Sequence, residues 1–242
     1  MAAAPREVAL LEVDGLCAGY GPIRIIEDIS FAVRAGDRLA VLGRNGMGKT
    51  TLLATLMGLS TRHAGQIRIG DQEVSRRRTS ARADLGIGYV PQTRDIFASL
   101  TVEENLRAGL KGRPTSALTE AYEMFPRLRE RRRNYGLQLS GGEQQMLSMA
   151  RTLLGKPRVL LLDEPLEGLA PVICDELMAL LGRLAAGHEV AIILVEQQIE
   201  RALDFANRVI VMERGRLSWS GAPDVLIADR PLVGRLVGVG IH

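Results

Sequence analysis

The sequence predicts an α/β fold: a mixed sheet, an N-terminal antiparallel β region and an inserted α-helical subdomain. Three observations carry this expectation. Residues 159–162 and 190–195 are unbroken apolar runs, as in strands buried on both faces of a parallel sheet, and a helical stretch over 172–184 makes them a βαβ unit. Residues 37–42 form a short apolar strand that runs directly into a glycine-rich loop and then a helical stretch. Over residues 101 to about 155 the strand pattern disappears and only helical spacing remains. A chain of 242 residues suits one domain carrying such an insert. We therefore expect a single domain over 1–242, its core formed by about 1–94 and 156–242 and its helical part by 95–155.

Taken in order, residues 8–16 and 25–33 read as the first two strands and 37–42 as the third. Residues 52–57 read as a helix that stops at Gly58, followed by strands over 66–69 and 86–90. The helical part opens with Thr101-Val102-Glu103-Glu104, whose Thr-x-x-Glu spacing is a capping box. Strands over 208–212 and 217–220 complete the sheet, and Pro223 sits in the first turn of a last helix.

Composition narrows the function classes. Hydrophobic residues at 46% and charged residues at 24% describe an ordinary globular chain. No apolar run approaches the ~20 residues of a membrane-crossing helix. The start, Met1-Ala2-Ala3-Ala4-Pro5, lacks the basic and long apolar stretches of a secretory signal. Cys17 and Cys174 have neither disulfide-framework nor zinc spacing and read as buried thiols in a reducing compartment. The net charge is +3, and the arginines cluster at 76–78 and 127–133 without interleaved aromatics, which argues against a nucleic-acid partner and for a solvated basic face.

Three motifs carry chemistry. Gly43-Arg44-Asn45-Gly46-Met47-Gly48-Lys49-Thr50 fits Gly-x-x-x-x-Gly-Lys-Thr between a strand and a helix, with Thr51 following. Its glycines let backbone amides wrap phosphates, the helix start directs positive dipole at them, Lys49 reaches the β and γ phosphates, and Thr50 ligates magnesium. The core is thus expected to be a phosphate-loop ATPase using ATP and Mg2+. Asp163 and Glu164 stand at the end of the 159–162 run, where a parallel sheet places its ligands; Asp163 suits magnesium and Glu164 suits a general base. Ser140-Gly141-Gly142-Glu143 is a capping box, yet its paired glycines cost backbone entropy and are better explained by close approach of a phosphate.

With these motifs in order, GRNGMGKT, then Gln92 in YVPQ, then LSGGE, then LLLDEP, nearly the whole chain resembles the ATP-binding-cassette (ABC) transport ATPases. The resemblance implies head-to-tail pairing with a second ATPase subunit, so that Ser140, Gly141, Gly142 and Glu143 meet ATP held by the partner. It implies that Tyr20 stacks on adenine and that Gln92 senses the γ-phosphate through magnesium, making Thr50, Gln92 and Asp163 the metal set. It further implies that residues 94–100 seat a helix of a permease. Three positions depart from the commonest pattern: Glu143 where glutamine is usual, Ala170 where aspartate is usual, and Gln197 where a histidine contacts the γ-phosphate. Glutamine can donate a hydrogen bond there but cannot gain a charge.

The wording EPLEGLAP, LVEQ and EMFPRLRERR is similar to the ATPases of branched-chain amino-acid uptake and, next, of urea uptake. This implies two non-identical ATPases on the cytoplasmic face of the inner membrane, held there by two transmembrane permease subunits and served indirectly by an external solute-binding protein. Alternatives are an importer of urea or another amide or amino acid, or a low-turnover regulatory nucleotide-binding partner. A soluble cassette acting on ribosomes or nucleic acid is disfavoured by the single cassette and the lack of long insertions.

Overall fold

A computed structural model describes residues 9–229 and Gly234. Val8, Met1 to Pro5 and His242, which figure in the sequence reading, lie outside the described residues. Two sheets form the body. β1 (Leu11–Tyr20), β2 (Ile23–Val33), β4 (Thr61–Ile69) and the two-residue β5 (Gln72–Glu73) make an antiparallel sheet in the order β2-β1-β4-β5. β3 (Arg38–Leu42), β6 (Ile87–Val90), β7 (Val159–Asp163), β8 (Ala191–Val195), β9 (Arg208–Glu213) and β10 (Arg216–Gly221) make the second, in the order β10-β9-β3-β8-β7-β6. All its pairings are parallel except β9 with β10, so the mixed sheet and the N-terminal antiparallel region both stand.

The helices are α1 (Lys49–Met57), α2 (Thr79–Asp84), α3 (Val102–Ala108), α4 (Leu118–Met124), α5 (Pro126–Glu130), α6 (Gly141–Leu154), α7 (Pro171–Ala186), α8 (Ile199–Phe205) and α9 (Pro223–Ala228). β7 and β8 are buried at every position, as unbroken apolar runs require. Their alternation sorts side chains between two layers. Leu161 and Ile193 face α1, which is sandwiched between the sheets through Leu52, Leu53 and Leu56. Leu160, Leu162, Ile192 and Leu194 face the other way, against Leu147 of α6 and Leu177 and Leu181 of α7. Each such leucine contributes about 1.5–3 kcal/mol when fully withdrawn from water.

Residues 95–155 contain helices joined by loops and no strand among the described residues, only one isolated antiparallel bridge, Thr101 to Tyr135. The Thr101 capping box forms: the Thr101 N–H donates to Glu104 Oε2 at 2.8 Å and the Glu104 N–H to Thr101 Oγ1 at 3.2 Å. Leu106, Leu118 and Leu128 of this part join one buried cluster with Leu160 and Leu194 of the sheet, so the helical insert packs on the sheet's own core.

Several boundaries differ from expectation. β1 continues past residue 16 to Tyr20 because bulges near Val13, Leu16 and Ala18 absorb Gly15 at φ +55°. β4 begins at Thr61 rather than 66, and β5, α2 and α8 were not anticipated. Cys174 is buried as expected, whereas Cys17 beside the bulges is only half-buried. No helix among the described residues is long and apolar enough to cross a membrane.

Candidate functional site

The loop from β3 to α1 owes its shape to two glycines. Gly43 has φ +144°, and a Cβ there would lie 2.4 Å from the Met212 carbonyl oxygen; at Gly48, φ +97°, it would lie 2.7 Å from Ile26 Cγ2. Gly46, φ +78°, faces open space. No side chain caps the start of α1 and no acidic residue stands in its first turn, so its amides and positive dipole end are directed at the cleft. Lys49, 5% exposed, donates through Nζ to the Gly43 carbonyl at 2.7 Å and the Arg44 carbonyl at 3.1 Å. Burial lowers its pKa, against the opposing influence of Glu164 and Asp163.

Asp163, fully buried, accepts from Thr50 Oγ1 at 3.2 Å on one oxygen and from the Tyr89 hydroxyl at 3.3 Å on the other. Burial raises its pKa; the hydrogen bonds from Thr50 and Tyr89 and the charge of Lys49 oppose the rise, while Glu164 adds to it. The Tyr89 phenol is pushed well up, first by burial and then by Asp163. Next to Asp163, Glu164 adopts φ +50° and ties its N–H to the Val195 carbonyl at 2.8 Å. Two side-chain amides converge on its Oε2: Gln92 Nε2 at 3.1 Å and Gln197 Nε2 at 2.5 Å. Gln92 Nε2 also donates to Glu167 Oε2 at 2.7 Å.

These groups surround one open cleft of about 340 Å³, lined by Asn45, Gly46, Gly48, Lys49, Thr50, Thr51, Gln92, Glu164 and Gln197, with Ile25. Of the sequence-selected residues, Asn45, Gly46, Gly48, Lys49, Thr50, Thr51, Gln92, Glu164 and Gln197 meet in this lining, whereas Gly43, Arg44 and the fully buried Asp163 are not part of it. The donor set fits a magnesium nucleotide: the Thr50 hydroxyl and the Asp163 carboxylate present hard oxygens 3.2 Å apart, beside a loop of open amides. Magnesium is commonly held by only one or two protein oxygens plus phosphates, and among the described residues no cluster of three or more His, Cys, Asp and Glu suggests another metal. His63 and His188 do not line the cleft.

Tyr20, at the end of β1 and 47% exposed, is not part of that lining, and neither is the Ser140 segment. Ser140 instead caps α6: its Oγ accepts from the Glu143 N–H at 3.3 Å and its own N–H donates to Glu143 Oε2 at 2.9 Å. Burial opposes ionisation of Glu143, yet the Ser140 hydrogen bonds and Arg131 hold its pKa below the ordinary carboxylate value. Among the described residues, and beyond the backbone of α6 itself, the atoms nearest to where a Gly142 Cβ would stand are those of Ile173 at 3.9 Å, so the packing does not itself demand glycine there. Ala170 caps α7 with no side-chain hydrogen bond, where aspartate would supply one.

Three residues escaped the sequence reading: Tyr89 and Glu167, which hold Asp163 and Gln92, and Glu196. Tyr89 and Glu196 flank motif residues at the ends of apolar strands, the only signal that could have marked them.

A family model described as "ABC transporter" matches residues 26–167. The chain is 36% identical to a probable branched-chain amino acid transport ATP-binding protein, LivF, of Archaeoglobus fulgidus, over 95% of this chain and 99% of that one. It is 39% identical to the high-affinity branched-chain amino acid transport ATP-binding protein BraG of Pseudomonas aeruginosa, over 86% and 91%. The lipopolysaccharide export ATP-binding protein LptB of Escherichia coli is 32% identical over 92% and 94%. Among solved structures, an ATP-binding subunit of an ABC transporter superposes with a TM-score of 0.82 at 26% identity, covering 96% of this chain and 95% of the other.

Proposed function

Because the chain belongs to the ABC transporter family, as an ATPase subunit that works with transmembrane permeases, we propose that it powers uptake of branched-chain amino acids. The observation supporting the import substrate is the likeness to LivF and BraG over nearly the full length of both. We place the subunit peripherally on the cytoplasmic face of the inner membrane, bound to two permease subunits and paired with a second, non-identical ATPase. An external solute-binding protein acts on it indirectly, and nucleic acid is not a partner.

In this reading Gly43, Arg44, Asn45, Gly46 and Gly48 supply backbone to the phosphates, Thr51 stands behind them, and Tyr20 stacks on adenine. Lys49 turns its ammonium from the Gly43 and Arg44 carbonyls to phosphate oxygens, exchanging neutral acceptors for charged ones. Thr50, Gln92 and Asp163 would hold Mg2+, which when bound neutralises charge between the β and γ phosphates. Glu164 takes a proton from water as the water oxygen bonds to the γ-phosphorus and the bond to the bridging oxygen breaks, releasing ADP and phosphate. The amides of Gln92 and Gln197 hold the Glu164 carboxylate in orientation. Ser140, Gly141, Gly142 and Glu143 serve ATP of the opposing subunit, which accounts for a glycine at 142 that the chain's own packing does not require.

The test is reconstitution of the subunit with its permeases in liposomes and measurement of which solute stimulates ATP hydrolysis. Stimulation by leucine, isoleucine and valine is expected; stimulation by urea alone would replace the proposed substrate. Lys49→Ala should weaken ATP binding, and Glu164→Gln should abolish most turnover with ATP binding kept. One observation favours a low-turnover subunit: Gln197, which cannot become cationic, is spent on Glu164 Oε2. A rise in turnover on Gln197→His supports that reading, and an unchanged rate removes it.

A further inference from the structure

We propose that Glu196 is a positioning residue for hydrolysis, its buried carboxylate fixing the loop that carries Gln197 against the loop that carries Glu164. Glu196 is 4% exposed and immediately follows β8. Its Oε1 accepts the Leu166 N–H at 2.9 Å, two residues beyond Glu164. Its Oε2 accepts the Gln197 N–H at 3.0 Å and the Gln198 N–H at 3.4 Å. The last ladder contact between the two segments is the Glu164 N–H to the Val195 carbonyl. Beyond it the strands part, and this one carboxylate spans the gap that the sheet no longer bridges.

The groups it holds are those whose spacing matters for chemistry. Gln197 Nε2 reaches Glu164 Oε2 at 2.5 Å, so the backbone on either side of that contact is tied to a common anchor. Gln92, the other amide on Glu164, is anchored separately by Glu167 at 2.7 Å. Each amide that orients the base thus has its own carboxylate behind it, and only that of Gln197 works through main chain. A carboxylate suits this task because both of its oxygens accept, and three N–H donors offset the cost of burying it. Misplacement of a catalytic group by ~1 Å can cost on the order of a hundredfold in rate.

The inference rests on Glu164 as the base, and the experiment separates the two. In the transporter assembled with its permeases, kcat and ATP affinity are measured for Glu196→Gln, Glu196→Asp, Gln197→Ala and the double variant Glu196→Gln with Gln197→Ala. Glu196→Gln is isosteric but turns an NH2 group toward backbone donors; kcat should fall by roughly tenfold or more with ATP affinity changed less than about twofold. Glu196→Asp keeps two acceptors on a shorter arm and should fall between. The double variant should lose no more than about twofold beyond Gln197→Ala alone, because Glu196 acts through Gln197. Amide exchange at Leu166 and Gln197 should quicken together in Glu196→Gln. Losses that multiply, a loss in Glu196→Gln with none in Gln197→Ala, or unchanged exchange at both amides overturns the proposal. Retained turnover in Glu164→Gln sinks the base assignment instead, whatever the Glu196 variants do.

Discussion

Arg82 offers the sharpest test of how the phosphate-binding helix is held. It sits on α2, 3% exposed, and gives its guanidinium to four carbonyls: Thr55 at 2.6 Å and Leu56 at 2.8 Å, both near the C-terminal end of α1, Ser75 at 3.1 Å and Arg77 at 3.1 Å. Gly58, at φ +80°, lets it approach; a Cβ there would stand 3.1 Å from Arg82 Nε. Arg82→Met keeps most of the packing and removes all four bonds and the cation at the negative end of the helix. Hydrogen bonds to charged groups are worth about 1.5–3 kcal/mol each, but they do not add, since water entering the site satisfies some carbonyls. Each buried carbonyl left without a donor costs about 1–3 kcal/mol. We expect a loss of ~4 kcal/mol, which for a chain of this length lowers Tm by roughly 8–16 °C. Arg82→Lys keeps the charge without the planar fork and should lose about half as much. Trp219 is the only tryptophan, so urea unfolding followed by its fluorescence reads the change directly. ATP should raise Tm by the same increment in variant and parent, because Arg82 works at the far end of α1 from the loop. A loss below about 1 kcal/mol in Arg82→Met, at unchanged m-value, would refute the argument that these bonds hold α1.

Asp163 has a folded-state pKa above its unfolded value, so the stability it contributes is present in acid and lost as pH rises through the folded pKa. Asp163→Asn should therefore be better tolerated at neutral pH than in acid, where the parent carboxyl is protonated and carries no such penalty, while hydrolysis is lost; thermal unfolding across pH checks it. Glu143 has the opposite sign, its pKa being lowered, so its contribution is present at neutral pH and lost in acid. Glu143→Gln should cost under about 1 kcal/mol at pH 7, because Gln can still close the capping box and the Arg131 partner is 53% exposed. Gly43→Ala drives a methyl against the Met212 carbonyl and should cost at least about 2 kcal/mol and most ATP binding, whereas Gly46→Ala meets only its unfavourable φ and should cost about 1 kcal/mol; calorimetry measures both effects.

What was legible in the sequence was what is encoded locally. The Thr101 and Ser140 capping boxes close within three residues, and both formed as read. The buried run at β7 announced its own depth and delivered Glu164 to the cleft and Asp163 to the Thr50 hydroxyl behind it. β4 was read short because residues 61–65 lie at the sheet's exposed margin and carry no apolar alternation, though they pair with β1 across its bulges. The end of β1 was hidden by Gly19, which reads as a stop yet is required inside the strand, since a Cβ there would fall 1.9 Å from the Ile23 carbonyl oxygen. Glu196 was missed for a different reason. Its partners are backbone amides, one of them thirty residues earlier in the chain, and no side-chain pattern records that a carboxylate will meet main chain brought by another loop.

The sheet order sets the scale on which the cleft works. β8 lies between β3, which feeds the phosphate loop, and β7, which ends in the two carboxylates. Neighbouring strands stand about 4.8 Å apart, so the backbone of the loop-bearing strand and that of the carboxylate-bearing strand are about 10 Å apart, a distance counted in strands rather than set by side chains. The intervening strand supplies Gln197 midway. An exchange at that position alters which hydrogen bond is offered without moving either bank of the cleft, so the site behaves as a ruler with a replaceable central mark.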